Sequence, residues 1–191
     1  VRNTDNGLLV VTRYLDGQEY LVAFNGSDES KDVNAAVETS HTSWSSILGE
    51  SGNYSSNGNQ ITFSLPGRSL VVLKAGKKYQ PAGNFTLTPI RVAPADFSST
   101  LREISVKSSP NGYLDVTFAY RKPGSSWVTI GTTDRKTAAT NQTDGGLYRV
   151  YFDPTKISQA SKYQLIAVAK DASGKIVASP IKEMPKNGKG A

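Results

Sequence analysis

Apolar residues recur along the chain in short runs broken by Gly, Asn, Asp and Ser at intervals of roughly ten residues, and helical periodicity is nearly absent. This spacing predicts an all-β chain. In the N-terminal half, Leu8–Arg13, Glu19–Asn25, Val33–Glu38, Gln60–Leu65 and Ser69–Lys74 read as strands, and Asp16-Gly17 as a two-residue hairpin turn. Gly49–Asn59, with its Gly-Asn and Ser-Asn-Gly steps, reads as a polar loop on a sandwich edge. In the C-terminal half the expected strands are Leu101–Lys107, Tyr113–Arg121, Trp127–Thr132, Leu147–Phe152, Tyr163–Lys170 and Lys175–Ser179. Leu114, Val116, Phe118 and Tyr120 share one face of their strand while Asp115, Thr117, Ala119 and Arg121 share the other, as in a half-buried strand. Lys122-Pro123-Gly124-Ser125 and Asp171-Ala172-Ser173-Gly174 read as hairpin loops.

Periodicity breaks and the charge changes between Ala75 and Asn84, which places a linker there. At 191 residues the chain accommodates two modules, since about 100 residues already close a core. The reading is two consecutive antiparallel β-sandwich domains, 1–80 and 81–185, with 186–191 as a flexible tail. With Val1 as first residue and the single methionine at Met184, the chain is expected to be a processed or excised piece.

Composition removes several chemistries. Without cysteine there are no disulfides, thiolate metal sites or cysteine nucleophiles. No apolar run approaches the roughly 18 residues of a membrane span. The net charge of +6 invites a nucleic-acid partner, but the excess lies after Pro81, where 15 basic residues face 8 acidic ones. These cations are dispersed singly with no basic run among aromatics, so no nucleic-acid partner is expected.

The run Val11-Thr12-Arg13-Tyr14-Leu15-Asp16-Gly17-Gln18-Glu19-Tyr20-Leu21-Val22-Ala23-Phe24-Asn25-Gly26-Ser27 is followed by Trp44, by Ile47-Leu48-Gly49, and by Phe63-Ser64-Leu65-Pro66-Gly67-Arg68-Ser69-Leu70-Val71-Val72-Leu73. Over residues 7–74 this resembles the C-terminal β-sandwich of the alpha-amylase family of glycoside hydrolases, a Greek-key domain. The second module, with Val116–Arg121, Trp127–Gly131, Tyr148–Val150 and Tyr163 in the place of a corner tyrosine, resembles the Ig-like or fibronectin-type sandwiches appended to secreted bacterial glycosidases. The resemblance implies an extracellular parent enzyme that cleaves α-glucosidic bonds, as in starch, by a retaining mechanism on a catalytic (β/α)₈ barrel upstream in the same polypeptide. Such a barrel takes roughly 250 residues, and no strand–helix alternation is present here, so no catalytic residue carries over. The chain itself reads as the non-catalytic C-terminal region. The alternatives are a starch- or glycan-binding module and a cell-surface spacer or adhesion fragment.

A glycan site needs exposed flat aromatics. Trp127 is the candidate carbohydrate-binding residue, set against a reading in which it covers Ala119 and stacks under Arg121 on the face opposite Val128 and Ile130. Trp44 is expected in the packing, while Tyr54 and Tyr79 are weaker loop candidates. His41 has no His, Cys or carboxylate cluster beside it and reads as a loop residue. Asp28, Glu29 and Asp32 lack regular calcium-loop spacing and read as a charged hairpin tip, so no metal and no cofactor are expected. Asn25, Asn53, Asn84 and Asn141 begin Asn-x-Ser/Thr sequons, read as chance matches.

Overall fold

The computed structural model describes residues 3–95, 98–110, 112–134, 136–137, 146–157 and 162–185. The described residues form antiparallel β-sheets with a single 3₁₀ turn, Pro154–Lys156, and no α-helix. The chain divides into two compact units, Val1–Gln80 with Thr137–Gly146, and Pro81–Lys136 with Leu147–Ala191.

The first unit contains β1 (Asn3–Asp5), β2 (Leu8–Leu15), β3 (Gln18–Asn25), β4 (Lys31–Ala36), β5 (Ser43–Gly49), β6 (Tyr54–Asn57), β7 (Gln60–Leu65) and β8 (Ser69–Ala75). They follow one hydrogen-bonded path, β1-β2-β3-β8-β5-β6-β7-β4. The short β6 turns the corner. Tyr54 and Ser55 pair with β5, whereas Ser56 and Asn57 pair with β7, so one layer passes into the other through a single strand. Leu8, Val10, Leu21, Ala23, Val71, Leu73 and Trp44 from one layer meet Val33, Ala35, Ile61 and Leu65 from the other in a closed apolar core. Asp16 (φ 50°) and Gly17 (φ 80°) both take the left-handed conformation that a tight Asp-Gly hairpin requires, and Leu15 pairs with Gln18 across it.

The loop expected over Gly49–Asn59 is in part a strand, β6, and Ser43–Gly49 is a strand that the pattern did not announce. Three serines in β5 hide its alternation. Gly49 (φ 82°) ends β5 so close to β8 that a Cβ there would lie 1.9 Å from the Leu70 carbonyl oxygen. Two buried polar side chains fasten the loops to this core. The Glu19 carboxylate accepts the backbone N–H groups of Glu38 (3.0 Å) and Thr39 (2.6 Å). The Asn25 amide donates to the carbonyls of Glu29, Leu65 and Pro66 at 2.8–3.1 Å, and its Oδ1 accepts from Ser27.

The second unit contains β9 (Thr86–Leu87), β10 (Arg91–Ala95), β11 (Ser98–Val106), β12 (Ser108–Ser109), β13 (Leu114–Arg121), β14 (Val128–Thr133), β15 (Lys136–Thr137), β16 (Leu147–Phe152), β17 (Lys162–Asp171), β18 (Ile176–Ala178) and β19 (Lys182–Pro185). One sheet runs β10-β11-β16-β15 and the other β14-β13-β17-β18, with β19 also on β17 and β9 paired to β12. β19 takes Lys162–Leu165 and β18 takes Val168–Lys170 along the same edge of β17. Between them Pro180 cannot donate to a ladder, and the Ser179 hydroxyl accepts the Ala167 N–H at 3.0 Å. Phe118, Val116, Leu165, Ile104 and Tyr148 form the centre of the core, and Phe152 packs between Tyr120 and Tyr163 at ring separations of 5.0 and 5.7 Å.

Candidate functional site

Strand pairing aligns an unusual outer face on the first unit. Because the inward positions of β2, β3 and β8 are Leu8, Val10, Leu21, Ala23, Val71 and Leu73, the alternate positions must point away from the core. They are also apolar. Leu9 pairs with Phe24, and Phe24 with Leu70; Val11 pairs with Val22, Val22 with Val72, and Val72 with Leu48 of β5. Ile47 is the extra residue of a bulge between Ser46 and Leu48 and is exposed beside this second row. Phe24 remains 47% exposed and Leu48 61%, so this is solvent-facing surface and not a second core. The Phe24 ring extends over Gly26, where a Cβ would come within 3.1 Å of it.

A third row ends the patch. Arg13 pairs with Tyr20, Tyr20 with Lys74, and Lys74 with Ser45. Arg13 and Lys74 are exposed, and no carboxylate occupies an outward position among these three rows. The signal in the sequence was the run of consecutive apolar residues in Leu8–Val11, Leu21–Phe24 and Leu70–Leu73. A sheet with one wet face alternates, whereas unbroken apolar runs mark a sheet covered on both faces.

Trp127 lies elsewhere, just before β14 in the second unit, half-buried, with the Arg121 guanidinium 4.4 Å from its ring centre. Arg121 Nε donates to Gln164 Oε1 at 2.7 Å, and Gln164 Nε2 donates to Glu183 Oε1 at 2.8 Å, giving a polar row across β13, β17 and β19. The hydrogen bond from Gln164 and then the charge of Lys162 hold the Glu183 carboxyl below its ordinary range. Two details differ from the alternation expected of Trp127–Thr132. A bulge beside Phe118 sets Thr129, not Trp127, opposite Ala119, and Val128, though opposite Tyr120 on the expected core-side face, is 48% exposed.

The remaining candidates disperse. Trp44 is buried in the first core, as expected. Tyr79 is buried too, edge-on to Tyr14 at 5.5 Å with its N–H on the Gly17 carbonyl, so the expected loop aromatic is packed down. Tyr54 meets the Phe63 edge at 5.0 Å, and burial followed by the Glu50 charge raises its phenol above the ordinary range. His41, at φ 47°, is exposed and accepts the Gly58 N–H at Nδ1. Asp28 pairs with Arg68, and no group of three or more potential metal ligands occurs among the described residues.

Of the sequons, Asn25 is fully buried, Asn53 and Asn84 are exposed, and Asn141 lies outside the described residues. The 186–191 tail lies outside them as well. Tyr163 is buried at the start of β17, and positions 158–161 just before it are outside the described residues. A tyrosine other than the one expected at the corner makes a buried hydroxyl-to-backbone bridge: Tyr148 Oη donates to the Gly112 carbonyl at 2.7 Å and accepts the Leu114 N–H at 3.2 Å.

Fold and surface thus define an all-β chain of antiparallel, sandwich-like sheets with an outward apolar face on the first unit. No helix among the described residues is long and apolar enough to cross a membrane. No family model matches the chain, and no curated protein matches it.

Proposed function

We propose that the chain is the non-catalytic C-terminal region of a secreted alpha-amylase-type glycoside hydrolase acting on α-glucans such as starch. Its first unit seats the β2–β3–β8–β5 face on the catalytic (β/α)₈ barrel of the same polypeptide. The observation that carries this reading is the outward double row Leu9–Phe24–Leu70 and Val11–Val22–Val72–Leu48, apolar surface of the kind that marks an interface. The run Phe63–Leu73 that supplies β7 and β8 also carries part of the amylase resemblance, so the resembling residues and the docking face coincide in β8.

The reading frame upstream of Val1 provides the test. A segment of about 250 residues with strand–helix alternation is expected there; a frame without one removes the proposal. In the whole enzyme, Phe24→Asp should lower the melting temperature of the catalytic domain, while the same change in the 191-residue chain alone should not.

A further inference from the structure

The apolar face has a charged end, and that end restricts what can cover it. Arg13 on β2 and Lys74 on β8 flank Tyr20 on β3, each about one strand spacing, roughly 4.8 Å, to either side. Neither forms an ion pair among the described residues, and both are exposed. A second copy of the chain would have to meet this arrangement through a two-fold axis lying between two stacked faces.

With the axis along β3, β8 of one copy lies over β2 of the other, and Arg13 faces Lys74 on either side of the axis. With the axis across the strands along the Val11–Val22–Val72 row, which buries the most apolar surface, each cation row lies over the other copy's Leu9–Phe24–Leu70 row and two charges are desolvated without a partner. Both arrangements are penalised. The penalty disappears for a partner that carries carboxylates at the corresponding rim.

Building on the docking proposed above, we infer that the occupant of this face is a heterologous surface, apolar at its centre with carboxylates opposite Arg13 and Lys74, and that the two cations act to exclude a second copy. Charge then sets partner identity while the apolar rows supply the contact area.

The consequence is testable on the 191-residue chain without its partner. A single charge reversal makes the face self-complementary, since Lys74→Glu puts Arg13 over Glu on either side of the first axis, and Arg13→Glu does the same with the roles exchanged. Sedimentation velocity in physiological salt, with circular dichroism as a control for folding, should find no self-association of the wild type that Phe24→Asp abolishes. Each single reversal should associate in a Phe24-dependent manner at least about tenfold more tightly. The double reversal, with like charges restored, should not. Phe24-dependent association of the wild type, or its absence from both single reversals, overturns the inference. Because these measurements do not involve the barrel, an upstream frame without one would sink the proposed function and leave this result in place.

Discussion

The Arg121 guanidinium lies 4.4 Å from the centre of the Trp127 ring, held there by its hydrogen bond to Gln164. A cation stacked on an indole uses the ring face that a sugar would need, and the stack contributes about 1 kcal/mol at a half-exposed site. Trp127→Ala should therefore lower unfolding free energy by about that amount and leave granular-starch retention unchanged. Loss of retention in a pull-down of the variant would identify the ring as a glycan platform.

The buried Asn25 amide serves three carbonyls and its oxygen serves Ser27, so removing it strands several backbone groups at once. Asn25→Ala should cost about 3 kcal/mol in a denaturant titration. The same burial should keep Asn25 unmodified on expression in a glycosylating host, which intact-mass analysis of the wild type against Asn25→Gln would read directly.

Gly49 and Gly58 separate two kinds of glycine. Both have positive φ, but a Cβ at Gly49 would run into the Leu70 carbonyl, whereas one at Gly58 meets nothing within 4 Å. Gly58→Ala should cost about 1 kcal/mol for the left-handed conformation alone. Gly49→Ala should cost at least about 3 kcal/mol, because β5 has to move off β8; equal melting temperatures for the two variants would refute the distinction.

Asp171 closes the β17–β18 turn. Desolvation pushes its carboxyl up, but hydrogen bonds from the Ser173 hydroxyl and from the N–H groups of Lys175, Ser173 and Gly174 outweigh it, so its pKa falls below the ordinary value. A depressed carboxyl stabilises the folded state above its unfolded pKa of about 4 and loses that contribution as the pH falls through the folded value. The difference in melting temperature between wild type and Asp171→Ala should be constant near neutrality and narrow below about pH 4. A difference that widens on acidification would reverse the sign of the shift.

How far the sequence carried depended on how residues alternate. Gln60–Leu65 was legible to the residue because its buried positions are apolar ones, and Leu147–Phe152 because it is a short apolar run between turns. Ser43–Gly49 was not, since Ser45, Ser46 and a bulge at Ile47 erase its period. The two-residue strands β9, β12 and β15 are too short to carry any period. The docking face was written in the unbroken apolar runs, but each run announces a strand equally well whether one face is covered or both; only the register that aligns Leu9, Phe24 and Leu70 turns three strands into a surface. The stacking of Trp127 under Arg121 could be read from its alternation with Val128 and Ile130, while the bulge that sets Thr129 opposite Ala119 could not.

The corner at β6 has a consequence for the first unit's durability. A sandwich of two separate sheets offers four open margins to a passing strand, but here β6 joins two of them at the corner, and the ribbon ends at β1 and β4. Both are short, at three and six residues, and β4 begins with Lys31 and Asp32. Growth of a fibril by adding strands edge to edge is therefore blunted at the two ends of the ribbon, on a module that leaves so much apolar side-chain surface in water.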